Sequence, residues 1–260
     1  MKRILLLAGS LASFAAMAAV ATDAAPAGGL SAAQIVDRSV AARGGLDAWR
    51  AVRTLSLQGQ LEAGGKQNAQ LPFVMKMKRS HKSRLEISFD KQTAVQVYDG
   101  AHGWKVRPFL NRIEAEPYTP EEAKAAESWQ ELDGPLVDYA GKGTKVALVG
   151  KEAVEGHDAY KLKLTFKNGD ERNLWVDTNS FLELKIDGEP QRLDGKMRHV
   201  AIYYRDYKAE QGLNVPHVLE TVIDGGNQSH KMFIERVGVN QPMDDALFAK
   251  PNLAAMASGR

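Results

Sequence analysis

KLKLTFKNGDERNLWV, residues 161–176, decides the fold class. Leu162, Leu164 and Phe166 alternate with lysine and threonine, a period of two that sends every second side chain to one face of a β-strand. Asn168-Gly169 then interrupts the alternation. Asn-Gly supplies the positive φ angles that a tight two-residue hairpin turn requires. DERNLWV resumes as the returning strand.

The same period extends in both directions. Leu55, Leu57 and Leu61 alternate with polar residues, as do Phe73, Met75 and Met77, and Leu85, Ile87 and Phe89. Asp99-Gly100 separates VQVY from HGWKV, and Asp224-Gly225-Gly226-Asn227 separates VPHVLETVI from QSHKMFIERV. Leu182, Leu184 and Ile186, then Val200, Ile202 and Tyr204, add two more strands. About ten or eleven strands are too many for one flat sheet. The expected fold is mainly β with helices: a strongly curved antiparallel sheet, or unclosed barrel.

Helical signals are few and definite. Ser31-Ala32-Ala33-Gln34 is a capping box, Ile35, Val36 and Val40 share the following helical face, and Gly44-Gly45 stops it. Leu46, Trp49 and Val52 mark a second short turn. Mid-chain, Thr119 is an N-cap, Pro120 takes the first helical position and Glu122 the third, which predicts a helix from Pro120 to Leu132. Asp133-Gly134-Pro135 ends it. Trp129, Leu132, Leu136 and Val137 give this insertion an apolar side, and Gly134 and Gly141-Lys142-Gly143 bracket its continuation with permissive backbone. It reads as a hinged lid over the concave face, with a rigid plug at one barrel end as the alternative.

The N-terminus carries a different message. Lys2 and Arg3 precede an apolar run that closes at Ala19-Val20-Ala21, the pattern of a cleaved secretory signal. The run is too short and too rich in small residues to span a hydrocarbon core of about 30 Å. Residues 22–29 read as a disordered Ala/Pro/Gly leader, 30–251 as one domain and 252–260 as a flexible tail. The chain has 34 Lys+Arg against 32 Asp+Glu, and Lys2 and Arg3 account for the difference. The mature balance is neutral and no basic patch is interleaved with aromatics, which argues against a nucleic-acid partner. With no cysteine, thiol chemistry, cysteine zinc sites and a lipid-bearing N-terminal cysteine are excluded.

Catalytic signatures are missing. G-x-S-x-G, H-E-x-x-H, the P-loop and G-x-G-x-x-G after a strand do not occur, and the six histidines lack ligand spacing. The reading is of a protein that is not an enzyme, with no metal and no cofactor. Asn227-Gln228-Ser229 matches a glycosylation sequon, a weak three-residue pattern. The apolar residues say more. A curved sheet of this many strands under a helical cover leaves room for an apolar void, and methionine and aromatic side chains repack readily around an irregular ligand. The expected lining is Leu57, Phe73, Met75, Met77 and Leu85, with Ile87, Phe89, Trp104, Leu164 and Trp175.

Six phrases then point to a family. They are ARGGLDAWRAVRTL (42–55), VYDGAHGWKVRPF (97–109), EEAKAAES with LDGPLVDYAGKGTKVALVGKE (121–128, 132–152), HDAYKLKLTFKNGDERNLWVD (157–177), YYRDYKAEQGLNVPHVLE (203–220) and VGVNQPMDDALFAKP (237–251). Together they resemble bacterial outer-membrane lipoprotein-sorting proteins of the LolA/LolB-like superfamily. The resemblance implies an unclosed β-barrel, a helical lid over an apolar cavity, and a periplasmic carrier of lipoprotein acyl chains or other lipid. It implies transient partners at the inner and outer membranes, and the chain is expected to be a monomer. The absent cysteine implies the soluble type rather than the membrane-anchored one. Such carriers hold the lid with an arginine inside the barrel, and Arg84 and Arg107 are the strand-borne arginines considered for that role. A lipoprotein-sensing domain in envelope-stress signalling, or a lipid-modifying enzyme, are the alternative functions.

Overall fold

The computed structural model describes residues 29–62, 69–129, 131–193, 195–226 and 229–252. The expected signal peptide, the expected leader before Gly29, Asn227 and Gln228 of the sequon, and the tail beyond Asn252 lie outside the described residues, as does the Trp129 side chain.

Ser31 starts the first helix as its sequence predicts. The Gln34 backbone N–H donates to the Ser31 hydroxyl at 3.2 Å, and the Ser31 N–H donates to the Gln34 side chain at 2.9 Å. Helix α1 (Ala32–Ala42) buries Ile35, Val36 and Val40 on one face. Helix α2 (Leu46–Ala51) follows and buries Trp49, whose Nε1 donates to the Arg43 carbonyl at 2.9 Å. Ser31→Ala removes the acceptor of this box and is expected to cost about 1 kcal/mol, read as a lower urea midpoint at unchanged m. An unmoved midpoint would mean that the buried face alone holds α1.

The chain then meanders through β1 (Thr54–Glu62), β2 (Gln70–Lys78), β3 (Lys82–Phe89), β4 (Gln92–Tyr98), β5 (Gly103–Arg107) and β6 (Arg112–Pro117). Helix α3 (Pro120–Trp129) interrupts it. The second run is β7 (Lys145–Val154), β8 (His157–Thr165), β9 (Glu171–Asp177), β10 (Glu183–Asp187), β11 (Gln191–Leu193), β12 (Lys196–Arg198), β13 (Val200–Glu210), β14 (Leu213–Ile223) and β15 (Ser229–Val239). Thirteen of these strands form one open antiparallel sheet in the order β6-β5-β4-β3-β2-β1-β15-β14-β13-β10-β9-β8-β7. The short β11–β12 pair stands apart.

The architecture is the expected unclosed, mainly β one, with more strands than the ten or eleven anticipated. β7 follows Gly141-Lys142-Gly143, where the sequence returns to strand at 145–149, and β6 is the strand of the large sheet with no sequence expectation. It is a short edge strand in which Ile113 and Ala115 alternate with Arg112, Glu114 and Glu116, but Ile113 is exposed and Pro117 ends the run, so its pattern is brief and heavily charged. Helix α3 has the predicted capping box, with the Glu122 N–H donating to Thr119 Oγ1 at 3.2 Å and the Thr119 N–H to the Glu122 carboxylate at 2.9 Å. It ends at Trp129, before the expected Leu132, which lies in a turn with Asp133. The Asp133 groups are bonded to side chains from elsewhere in the chain, described below, instead of to a further helical turn.

Register builds the concave face. Met75 lies opposite Leu57 and Leu85, Met77 opposite Leu55 and Ser83, and Phe73 opposite Gly59 and Ile87. Gly59 sits at a bulge where the Phe233 carbonyl oxygen would lie 1.8 Å from a Cβ, so only glycine fits. Helices α1 and α2 and residues 131–144 cover this face at one end. Ile35, Val36, Trp49, Leu136, Val137, Leu162 and Leu174 are buried together there, each large side chain contributing about 1.5–3 kcal/mol.

The outer face has its own small core. Val95, Val97 and Val106 pack with Phe248 from a 3-10 turn at Asp245–Phe248. Asp245 pins that turn to Lys78 at 2.6 Å and Lys82 at 2.8 Å, and these two ammonium groups pull its exposed carboxyl down to about 2. A depressed carboxyl stabilises the fold above its unfolded pKa, and that contribution is lost as pH falls through the folded value. Residues 245–248 are therefore expected to lose protection between about pH 4 and 2, followed by NMR. An Asp245→Asn chain should show no such step. A step of the same size in that variant would assign it to other carboxylates.

Candidate functional site

The concave face is not fully covered. Leu61, Met75, Leu85, Ile87, Leu219 and Met232 remain half-buried on it, packed at their bases against the main core. Cross-strand register makes them one surface: Leu61 lies opposite Met232, and Met232 opposite Leu219. Further round the curve a cavity of about 470 Å³ opens between the two halves of the sheet. Ile186, Ile202 and Tyr204 form its floor and Tyr98 one wall, with Gly134 and Pro135 from the segment after α3 closing it. Its mouth is polar, with Lys124 from α3, Lys167 and Asp170 from the β8–β9 turn, and Arg172. Two ion pairs hold the N-terminal half of α3 in place: Lys105 to Glu122 at 2.5 Å and Lys124 to Asp170 at 3.0 Å.

A buried polar knot fixes the segment that follows α3. The Asp133 carboxylate is 2% exposed and receives Arg79 at 2.7 Å and Lys142 at 2.8 Å. Its backbone carbonyl accepts from the Arg43 guanidinium at 2.9 Å, and the same nitrogen reaches Glu183 at 3.2 Å. The Arg43 guanidinium also lies over the Trp49 ring at 4.5 Å. Burial works against the Arg43 charge, but Glu183 and the phenols of Tyr207 and Tyr204 outweigh it and hold its pKa above the ordinary value. Burial, and next the Glu183 charge, pushes the Tyr207 hydroxyl well up; it stays protonated and donates to the Glu183 carbonyl at 3.0 Å.

Leu57, Phe73, Met77 and Leu164 lie in the main core, and Met75, Leu85 and Ile87 on its half-buried margin. Phe89 ends the same strand face but is 49% exposed, edge-on to Phe109 at 5.7 Å. Trp104 and Trp175 face the other way. Trp104 pairs with Val97 and packs in the outer core with Phe248. Leu174 and Val176 take the inner positions, so Trp175 between them points outward, under Lys185 at 4.2 Å and bonded to Glu152. None of the ten residues expected to line a cavity lines the 470 Å³ one.

The lid expectation divides. Leu132, Leu136 and Val137 are buried in the main core, and the polar knot ties the chain between them. Arg84 and Arg107 do not touch it: Arg84 donates to Glu86 and the Leu247 carbonyl on the outer side, and Arg107 to Glu116. The arginines that do are Arg43 and Arg79, which sequence patterning did not single out. The one signal was the phrase ARGGLDAW itself, where Arg43 reads as an ordinary helix end.

No catalytic constellation assembles among the described residues. His157 approaches Asp177 at 3.4 Å, but the Ser180 hydroxyl donates to Asp177 and not to the imidazole, so Asp177 caps a turn. His199 bonds Asp187 at 2.9 Å, and Asp187 also receives the Asn173 amide. No described group of three His, Cys, Asp or Glu could hold a metal, and no described helix is long and apolar enough to cross a membrane.

No protein-family model matches the sequence, and no curated protein does. Solved structures do match. A LolA superfamily protein from Nitrosomonas europaea aligns at TM-score 0.54 and 14% identity, covering 85% of this chain and 99% of that one. A domain described as an outer membrane lipoprotein-sorting protein, from Vibrio parahaemolyticus, aligns at 0.54 and 13%, covering 84% and 96%. A DUF1329 family protein from Desulfovibrio piger aligns at 0.55 and 16%, covering 83% and 95%. The chain has a LolA-like fold.

Proposed function

We propose that this chain is a periplasmic carrier that binds the hydrocarbon part of a lipid or lipoprotein on its concave face. The observation that carries the reading is the row of half-buried apolar side chains, Met75, Leu85, Ile87, Leu219 and Met232, which no element covers among the described residues. Contiguous apolar surface left open in this way marks a binding site. Each methylene moved onto it from water contributes about 0.8 kcal/mol. The domain spans residues 30–251 and follows a cleaved signal, and the LolA-like fold supports a place between the two membranes. Partners would be transient, at the donor and acceptor membranes, and the chemistry is carriage and not catalysis.

The gate in this reading is α3 alone. Among the described residues it is held by two ion pairs and no apolar core: Lys124–Asp170 is at the surface, where such pairs are worth about 0–1 kcal/mol, and Lys105–Glu122 joins a buried ammonium to a half-exposed carboxylate, whereas residues 131–144 are anchored in the core. Detergent-free purification from the periplasm followed by native mass spectrometry tests the carrier function. A bound lipid mass is expected, and a disulfide staple between α3 and β5 should slow its exchange until reduced. Protein that carries no lipid and takes up none from labelled vesicles would overturn the proposal.

A further inference from the structure

The cavity differs in character from the open apolar row. Its floor is apolar, but four cations line it, Lys124, Lys142, Lys167 and Arg172, against two acids, Glu131 and Asp170. Three of the cations are already paired. Lys124 meets Asp170 at 3.0 Å, Lys142 meets Glu131 at 2.6 Å and Asp133 at 2.8 Å, and Arg172 bonds Glu189 while lying over the Phe166 ring at 5.5 Å. Lys167 is left over. Among the described residues it has no carboxylate and no hydrogen-bond partner, and its stem packs beside Gly143 at the cavity wall. The Tyr204 hydroxyl on the floor likewise makes no hydrogen bond among the described residues. Burial, then the charge of Glu183, keeps that phenol protonated, so it is a donor.

We infer that this cavity takes a single-chain amphiphile with an anionic head, a carboxylate or a phosphate ester, held at Lys167. The inference rests on the carrier reading and names its ligand class. A volume of about 470 Å³ falls within the roughly 300–1,000 Å³ of sites for one small ligand, not several acyl chains. Ile186, Ile202 and the Tyr204 ring receive the hydrocarbon next to the head. An ammonium without a partner at the mouth of an apolar space gains most from an anion, because charge-assisted hydrogen bonds are the stronger ones.

The test uses three ligands with the same hydrocarbon and different heads: palmitate, palmitoyl lysophosphatidic acid and neutral monopalmitoyl glycerol. They are titrated calorimetrically into the delipidated full chain. Both anions are expected to bind about tenfold or more tightly than the glyceride, the size of one hydrogen bond to a charged group. Whichever anion binds more tightly identifies the head as carboxylate or phosphate. Lys167→Gln lies on an exposed turn, so the fold should be kept, and it should erase the preference while leaving glyceride affinity unchanged. Equal binding of all three to the unaltered chain would overturn the head-group assignment and leave the carrier reading standing. Discrimination that survives in Lys167→Gln would overturn the role of Lys167. If none of the three binds, both inferences fall.

Discussion

Asp133→Ala is expected to destabilise the protein by about 3–5 kcal/mol, the usual cost of removing one partner from a buried charge network. The buried carboxylate takes Arg79 and Lys142 together, and its loss leaves the two cations close to each other with only Glu131 as a nearby counter-charge to Lys142 and backbone carbonyls as acceptors for Arg79. Stability should fall in urea titrations, and amides around Leu136 and Val137 should lose exchange protection before the strands do. Both substitutions keep the backbone carbonyl that Arg43 holds, but Asp133→Asn also keeps one side-chain acceptor, so it should lose less. A loss below about 1 kcal/mol in the alanine variant, against the range for buried pairs, would show that the cations find other acceptors and that the knot is not what fixes residues 131–144.

The second large effect comes from a pair of neighbours. Met77→Asp places a charge at a side chain only 6% exposed, in the main core. Losing the methionine alone costs about 2–5 kcal/mol, and an unpaired buried carboxylate adds to that. The variant should be largely unfolded or recovered in poor yield. Met75 is on the same strand face, two residues away, but half-buried on the open row. Met75→Asp can hydrate its charge, so about 1 kcal/mol of stability should go, the centre of the range for single substitutions. Lipid binding should fall far more than stability. Full lipid binding in a folded Met75→Asp chain would move the cargo off this row and onto the cavity alone.

The period of two in KLKLTF and NLWV was enough to assign strands, turns and even faces, because parity is local. Trp104 and Trp175 show what happens when residue type is allowed to outrank parity. Both are large aromatics of the kind that line pockets, yet each is one position out of step with the inward residues beside it. Leu132, Leu136 and Val137 read as a lid from their glycine brackets. What fixes them is Asp133 bound to Arg43 and Arg79, 90 and 54 residues away, and no local pattern carries that distance. The cavity was hidden for the same reason. Its walls come from the β2–β3, β4–β5 and β8–β9 turns and from the chain after α3, which meet only once the sheet has curled.

β1 lies in the middle of the sheet, and one of its neighbours is β15, with Leu55 opposite Val239. The seam between the two halves is therefore closed by β15, the described strand furthest along the chain. Until β15 is present, β1 and β14 both carry unpaired edges, and no strand pairing joins the two half-sheets. Contacts this far apart in sequence make folding slow, on the scale of milliseconds to seconds, and unfinished edges of this kind aggregate readily. A chain truncated ahead of Ser229 should consequently be insoluble and not merely weakened. For a chain proposed to cross a membrane before it folds, the late seam has a use: the polypeptide stays threadable until its C-terminal strand has passed through.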